Sequence, residues 1–324
     1  MPSDLESHLD LRGYLTRPEL LSEGYSDDDI RKLKRHLRLH TIGPGLYAAA
    51  SYTSLSAEQQ HLVRCRASAS RFGESIAISH QSAALIHGAA IWAQDLQYVH
   101  ATRRDLGRGR HQAGVAHHPA ELPDSEVTEV DGMIVTSPAR TVWDLCVSSG
   151  IEAGLVTADS MLNLGLALDS DLLDLSSRYS SWRGSRRAKV TLSFASGLSD
   201  SPGETRARLL FRRAGVPRPV LQYRVEDDAG RLIGISDFAW PEFRLLGEFD
   251  GMVKYGRPED LAKEKVREDR LRAQGWSIIR FVWTDLASTQ VRTTAARLDE
   301  ALRQARRVHA WRVSSTQNAG GFTL

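Results

Sequence analysis

Between residues 231 and 250, apolar and β-branched positions run up to Pro241-Glu242 and resume after it, which predicts two strands joined by a tight turn. With Pro241 and Glu242 as a two-residue loop, Trp240 opposes Phe243, Asp237 faces Leu246, and Glu248 is the diagonal neighbour of Asp237. Diagonal Cα atoms lie roughly 7–8 Å apart, so both carboxylates can converge on one cation. Asp250 alternates onto the same face. Three acids on one face of an apolar hairpin repel each other and resist burial, which calls for a cation or a cationic side chain beside them. Upstream, Ser201-Pro202-Gly203-Glu204 opens a helix with Ser as N-cap and Pro at the first helical position. Downstream come a charged helix over 264–272, a strand over 276–283, and a helix over 291–307 whose Ala295, Leu298 and Leu302 face the sheet.

Periodicity elsewhere divides the chain further. Residues 4–48 predict a helix over 4–11, a second capped by Thr16 with Glu19, and a third capped by Ser26 with Asp29. The third carries Ile30, Leu33 and Leu37 on one stripe, against Arg31, Lys32, Lys34, Arg35 and Arg38. Strands at 39–42 and 46–48 around Gly43-Pro44-Gly45 form a wing, which completes a winged helix-turn-helix plan. Five cations in eight residues favour double-stranded DNA as the partner over a merely solvated basic face. Residues 51–190 alternate helices and short strands, with a type I′ hairpin at Asp131-Gly132 and a helix opening at Ser137-Pro138. His80 and His87 share a helix face but lack a third ligand, and His111, His117 and His118 suggest an exposed loop cluster rather than a zinc site. The basic loop 103–110 is either a phosphate contact or simply solvated. The polar stretch 177–189, a linker or the start of a basic helix, precedes the last domain, and the tail from Ser314 is expected to be disordered.

Composition narrows the class. The chain has 324 residues, 25% charged and 41% hydrophobic, which suits two or three globular domains. A net charge of +2 implies nucleic-acid binding only through local clusters. Cys65 and Cys146 have no CxxC spacing, which excludes a cysteine-based zinc site and suits a reducing cytosol. No signal peptide opens the sequence, and the longest apolar run, 83–93, is broken by His87 and falls short of the ~20 residues that span a bilayer. A cytoplasmic protein without membrane contact is expected. No phosphate-binding Gly loop, nucleophile elbow or dinucleotide fingerprint is present.

From residue 200 to 300, Ser236-Asp237-Phe238, Gly247-Glu248-Phe249-Asp250-Gly251, Arg267-Glu268-Asp269 and Gly275-Trp276-Ser277-Ile278-Ile279-Arg280-Phe281 resemble the restriction-endonuclease-like PD-(D/E)xK nucleases, closest to the very-short-patch-repair branch. That resemblance implies Mg²⁺ held by Glu204, Asp237 and Glu248. The family's lysine, two residues past the second acid, is Asp250 here, so Lys265, or failing it Lys254, is expected to supply the cation, with Arg267 and Arg280 gripping phosphates. The module 1–50, with Leu15-Thr16-Arg17-Pro18-Glu19-Leu20 and Leu39-His40-Thr41-Ile42-Gly43-Pro44-Gly45-Leu46-Tyr47, resembles AbiEi-type antitoxins, repressors of type IV toxin–antitoxin pairs. The expected fold class is α/β, α+β overall, with a winged helix over 1–50, a mixed region over 51–190, a nuclease-like domain with a central mixed sheet over 200–313, and a tail over 314–324. Two functions compete: Mg²⁺-dependent DNA cleavage in repair or phage defence, and an antitoxin repressor with an inactive nuclease-like domain. The second implies a toxin partner or a homodimer.

Overall fold

Thr16 and Ser26 act as the N-caps their spacing predicts, each accepting from the backbone N–H three residues on, while Glu19 and Asp29 reach back to the cap backbone. In the computed structural model, which describes residues 9, 12–36, 38–105, 108–251 and 258–319, these caps start α1 (Arg17–Ser22) and α2 (Asp27–Arg35). Arg17 binds Asp27 through two nitrogens at 2.8 and 2.7 Å, tying the two helices together. Strands β1 (Leu15–Thr16), β2 (Leu39–Gly43) and β3 (Leu46–Ala49) form an antiparallel sheet of order β1-β3-β2. Leu15, Leu20, Ile30, Leu39 and Tyr47 fill its core. The helix expected over 4–11 and Leu37 fall largely outside the described residues.

The chain is α+β and forms two compact units, 1–195 and 196–324. The expected break at residue 50 is not a packing boundary, because Tyr14 and Leu46 are buried against Val63 and Ala67 of α3 (Ala57–Phe72). The remainder of the first unit is a six-stranded mixed sheet. Its strands are β4 (Ile76–Ile78), β5 (Val99–Arg103), β6 (Arg110–Gln112), β7 (Val115–Pro119), β8 (Val127–Val130) and β9 (Met133–Thr136), in the order β6-β7-β5-β4-β9-β8. β5–β7 and β4–β9 are parallel and the other pairs antiparallel. Helix α4 (His80–Ile86) follows β4, and four more helices, α5 (Pro138–Ser148), α6 (Ile151–Asn163), α7 (Asp169–Arg178) and α8 (Ser185–Leu192), close around Trp143. The stretch 177–189 is therefore not a free linker: Tyr179 and Ala188 belong to that core.

In the second unit, α9 (Pro202–Arg213) leads into β10 (Val220–Glu226), β11 (Leu232–Trp240) and β12 (Leu245–Asp250), then α10 (Pro258–Ala273), β13 (Ser277–Val282) and α11 (Val291–Ala319). The sheet order is β10-β11-β12-β13, antiparallel except for the last, parallel pair. Phe211, Phe238, Trp240, Phe281 and Leu298 pack α9 and α11 on one face. Val225, Ala239, Leu246, Leu271 and Trp276 pack α10 on the other. The last helix continues to Ala319, through part of the region expected as a disordered tail. Among the described residues no helix is long and apolar enough to cross a membrane.

Candidate functional site

The hairpin β11–β12 carries the acids, but its turn differs from the expected one. Pro241–Phe243 form a single 3-10 turn and Arg244 follows with φ 53, so Trp240 pairs with Leu245 rather than Phe243. Extending the pair Phe238↔Gly247 by one residue sets Asp237 directly across from Glu248, where Leu246 was expected. A slip of two residues keeps the side-chain face, so both carboxylates still share it, as directly opposed rather than diagonal neighbours. The Phe249 N–H donates to Asp237 Oδ2 at 2.7 Å.

Helix α9, packed on the other face of the sheet, holds Glu204 near enough for the Asp237 charge to act on it. Glu204 is 7% exposed. Its Oε1 accepts from Ser201 Oγ at 2.7 Å, and its Oε2 accepts from the Asp200 N–H at 2.9 Å and from Gln222 Nε2 at 3.3 Å. The close approach of α9 to β12 depends on Gly203, where a Cβ would stand 1.9 Å from the Phe249 ring. Gln222 holds a left-handed φ of 47 in β10, and the flanking pairs Leu221↔Phe238 and Tyr223↔Ser236 set it beside Asp237. Burial lifts the Glu204 carboxyl to about 7, with the charges of Asp237 and Asp200 adding to the rise and the cap hydrogen bonds opposing it. Burial also raises Asp237, against the Phe249 N–H, while Glu248 and Asp200 push it further up. Glu204 and Asp237 thus lie where burial opposes their negative charge.

The cations beside these acids are arginines. Arg267 Nη2 donates to Glu248 Oε1 at 2.5 Å and to Glu264 Oε1 at 2.9 Å. Arg280, paired in register with Glu248, places its Nε 3.4 Å from Glu248 Oε2 and its Nη2 3.1 Å from Glu268 Oε2. Lys265, expected in this role, is exposed. The stripe of α10 turned to the sheet consists of Glu264, Arg267, Glu268 and Leu271, and at 3.6 residues per turn position 265 points away from it. Lys254 lies outside the described residues, and Asp250 is exposed at the end of β12. Sequence reasoning weighed Arg267 as an ion-pair partner of Asp237 and Glu248 but passed over Gln222 and assigned Arg280 to phosphate alone, because the pairing of Glu248 with Arg280 needs the β12–β13 register.

In the first unit, Arg31, Lys32, Lys34, Arg35 and Arg38 are all exposed. Arg31 pairs with Asp28, and Lys32 with Asp29 at 3.5 Å, within the same helix. In the loop 103–110, Arg103 is held by Asp105, and Arg104 by Asp124 at 2.6 Å. His87 Nε2 lies 2.8 Å from the Thr136 carbonyl oxygen, His111 lies tilted against Tyr98, and His117 is buried edge-on against Phe72.

A different trio meets: His80 at the start of α4, His100 on β5 and His118 on β7, with ligand atoms within 4.8 Å of one another. The rings of His80 and His118 stack at 4.0 Å, and His100 Nδ1 lies 2.9 Å from His118 Nε2. Burial holds both His100 and His118 at about 4, and lowers His80 as well, so all three rings are neutral at pH 7. The trio was invisible in sequence because 38 residues and a parallel strand pairing, Thr102↔His118, separate its members.

No protein-family model matches the chain. Among known proteins it is similar to the uncharacterized proteins MT2308 and Rv2248 of Mycobacterium tuberculosis, from strains CDC 1551 / Oshkosh and ATCC 25618 / H37Rv. Each is 29% identical over 229 residues, 70% of this chain and 83% of the relative. Among solved structures, the RV2827C protein from Mycobacterium tuberculosis matches at TM-score 0.40 and 16% identity, over 69% of this chain and 87% of that one. That level of likeness carries no argument.

Proposed function

We propose that this is a cytoplasmic DNA-binding protein whose second unit is a PD-(D/E)xK-like, Mg²⁺-dependent nuclease. The observation that supports it most is the cross-strand opposition of Asp237 and Glu248, with buried Glu204 close enough to Asp237 for that charge to raise its carboxyl. The donor set fits Mg²⁺: three carboxylates supply hard oxygen ligands, and burial and neighbouring charge already oppose ionisation of Glu204 and Asp237. Glu204, Asp237 and Glu248 would hold the ion, which when bound lowers the pKa of a water and offsets charge growing on the phosphoryl oxygens. Phe249 N–H fixes the Asp237 carboxylate, and the Ser201 hydroxyl fixes Glu204. Arg267, always protonated, supplies the fixed positive charge that a lysine at position 250 would have given. The exposed cations of α2 supply DNA affinity through the phosphates.

The pairing of Glu248 with both Arg267 and Arg280 supports a second reading, an AbiEi-type antitoxin repressor in which these arginines have replaced the metal and the domain only binds. A Mg²⁺-dependent nicking assay on supercoiled DNA separates the two. The nuclease reading expects nicking by the wild type that Asp237→Asn abolishes at unchanged DNA affinity. Binding without any nicking at millimolar Mg²⁺ leaves the repressor reading, and a toxin partner or a second copy of the chain as its counterpart.

A further inference from the structure

We propose that His80, His100 and His118 form a binding site for one divalent transition-metal ion of the zinc class. The three imidazoles come from α4, β5 and β7, and their ligand atoms already lie within 4.8 Å of one another. A tetrahedral ion with metal–nitrogen bonds of ~2.0–2.1 Å separates its ligands by roughly 3.4 Å. The 2.9 Å between His100 Nδ1 and His118 Nε2 falls just inside that separation, and binding would turn the stacked His80 and His118 rings out of their stack so that their in-plane lone pairs meet one ion.

Three further features single this cluster out. The far nitrogens are held: Ser79 Oγ lies 2.9 Å from His80 Nδ1, and Gln81 Nε2 lies 2.9 Å from His100 Nε2. Such outer contacts are what orient metal-bound imidazoles. Ligation through Nδ1 puts the His100 proton on Nε2, and the Gln81 amide then gives up its 3.0 Å bond from Nε2 to the Asp95 carbonyl in order to turn its oxygen to that proton. Second, His80 adopts a left-handed φ of 55, a strained conformation for a residue with a Cβ, and it persists at the point that aims this ring at the other two. Third, Thr102 is 1% exposed and its Oγ1 has no hydrogen-bond partner among the described residues. Thr102 shares the strand face of His100 and is the register partner of His118, so its orphaned hydroxyl lies on the face that carries the trio.

Nitrogen ligands select zinc-class ions and disfavour Mg²⁺ and Ca²⁺, which take oxygen, so this site is distinct in chemistry from Glu204, Asp237 and Glu248. Three protein ligands leave one coordination position for a water or a ligand oxygen. A bound ion would clamp α4 onto the β5–β7 pair.

The test uses the full chain, stripped with a chelator and titrated with Co²⁺ as a spectroscopic probe. With millimolar Mg²⁺ present throughout to fill the acidic site, we expect one Co²⁺ per chain, visible tetrahedral bands without the near-ultraviolet thiolate band, and displacement by Zn²⁺. The double variant His100→Gln/His118→Gln should lose at least tenfold in affinity. The double variant Glu204→Gln/Asp237→Asn should bind as the wild type does, which keeps this site separate from the acidic one. Failure of the wild type to bind Co²⁺ stoichiometrically overturns the proposal whatever the variants do. So does an unchanged titration in the histidine variant. Should that variant fail to fold, His118→Gln alone is read against the wild type, with the same two outcomes.

Discussion

Arg140 illustrates how a single residue can stake a whole core. Its side chain is 0% exposed and pairs with Glu126 and Asp144, themselves 5% and 3% exposed. Tyr179 OH donates to both Glu126 oxygens at 2.8 Å, and Arg178 adds a contact from the surface. The Arg140 guanidinium also lies over the Tyr179 and Trp182 rings. Breaking a buried pair strands charges that cannot reach water, at a cost of about 3–5 kcal/mol. Arg140→Met should lower unfolding stability by that amount in a denaturant titration, while Arg178→Met, whose side chain is half exposed, should cost under ~1 kcal/mol. Equal losses in the two would mean that burial is not what makes the pair matter. None of this was legible in Ser137-Pro138-Ala139-Arg140, which predicts only a helix start: a buried arginine shows itself through partners 14 and 39 residues away.

At the scale of elements, the sequence read well wherever the determinants are local. The capping boxes at Thr16 and Ser26, the Asp131-Gly132 hairpin and the Pro202 helix start fall where their residues place them. Asp131 and Gly132 have φ of 50 and 75, as a type I′ turn requires. Errors arose where geometry depends on turn length or on packing. Arg244 in the left-handed region lengthened the β11–β12 turn and moved Glu248 opposite Asp237. The helical phase of α10 then put Arg267, not Lys265, over the acids. Arg267→Ala should therefore cost ~10²-fold in Mg²⁺-dependent cleavage, and Lys265→Ala should leave it within a factor of two or three. The reverse order would restore Lys265. Helix α2 makes its own test: Arg31→Ala/Arg35→Ala should weaken DNA binding and flatten the plot of log affinity against log salt by about one unit per lost phosphate contact. An unchanged slope would remove this helix from the interface.

At the scale of the whole molecule, lowered histidines outnumber the raised Asp144 in the first unit while raised carboxylates dominate the second, so their stabilities should respond to pH in opposite directions. In the first, His61 is fully buried between Ser82 Oγ at 2.8 Å and the Leu96 carbonyl at 3.0 Å, and burial lowers it from 6.5 to about 4. Between those values the unfolded chain binds the proton and the folded unit does not, so stability is full above pH 6.5 and is lost as pH falls toward 4. In the second unit, burial raises Glu204 from 4.5 to about 7 and lifts Asp237 in the same sense. There the folded unit holds the proton that the unfolded chain releases, so stability declines as pH rises from 4.5 through 7. His61 and Glu204 are each worth on the order of 3 kcal/mol across their windows. Native-state hydrogen exchange of the chelated full chain, corrected for intrinsic rates, should show core amides of 1–195 better protected at pH 7 than at pH 5, and those of 196–324 better protected at pH 5. Glu204→Gln should flatten the second profile and leave the first unchanged. Mg²⁺ at pH 7 should restore protection to 196–324 in the wild type by mass action, and not in that variant. Profiles of the same sign in both units would refute the opposition, and restoration by Mg²⁺ in Glu204→Gln would remove Glu204 from the ion's ligands.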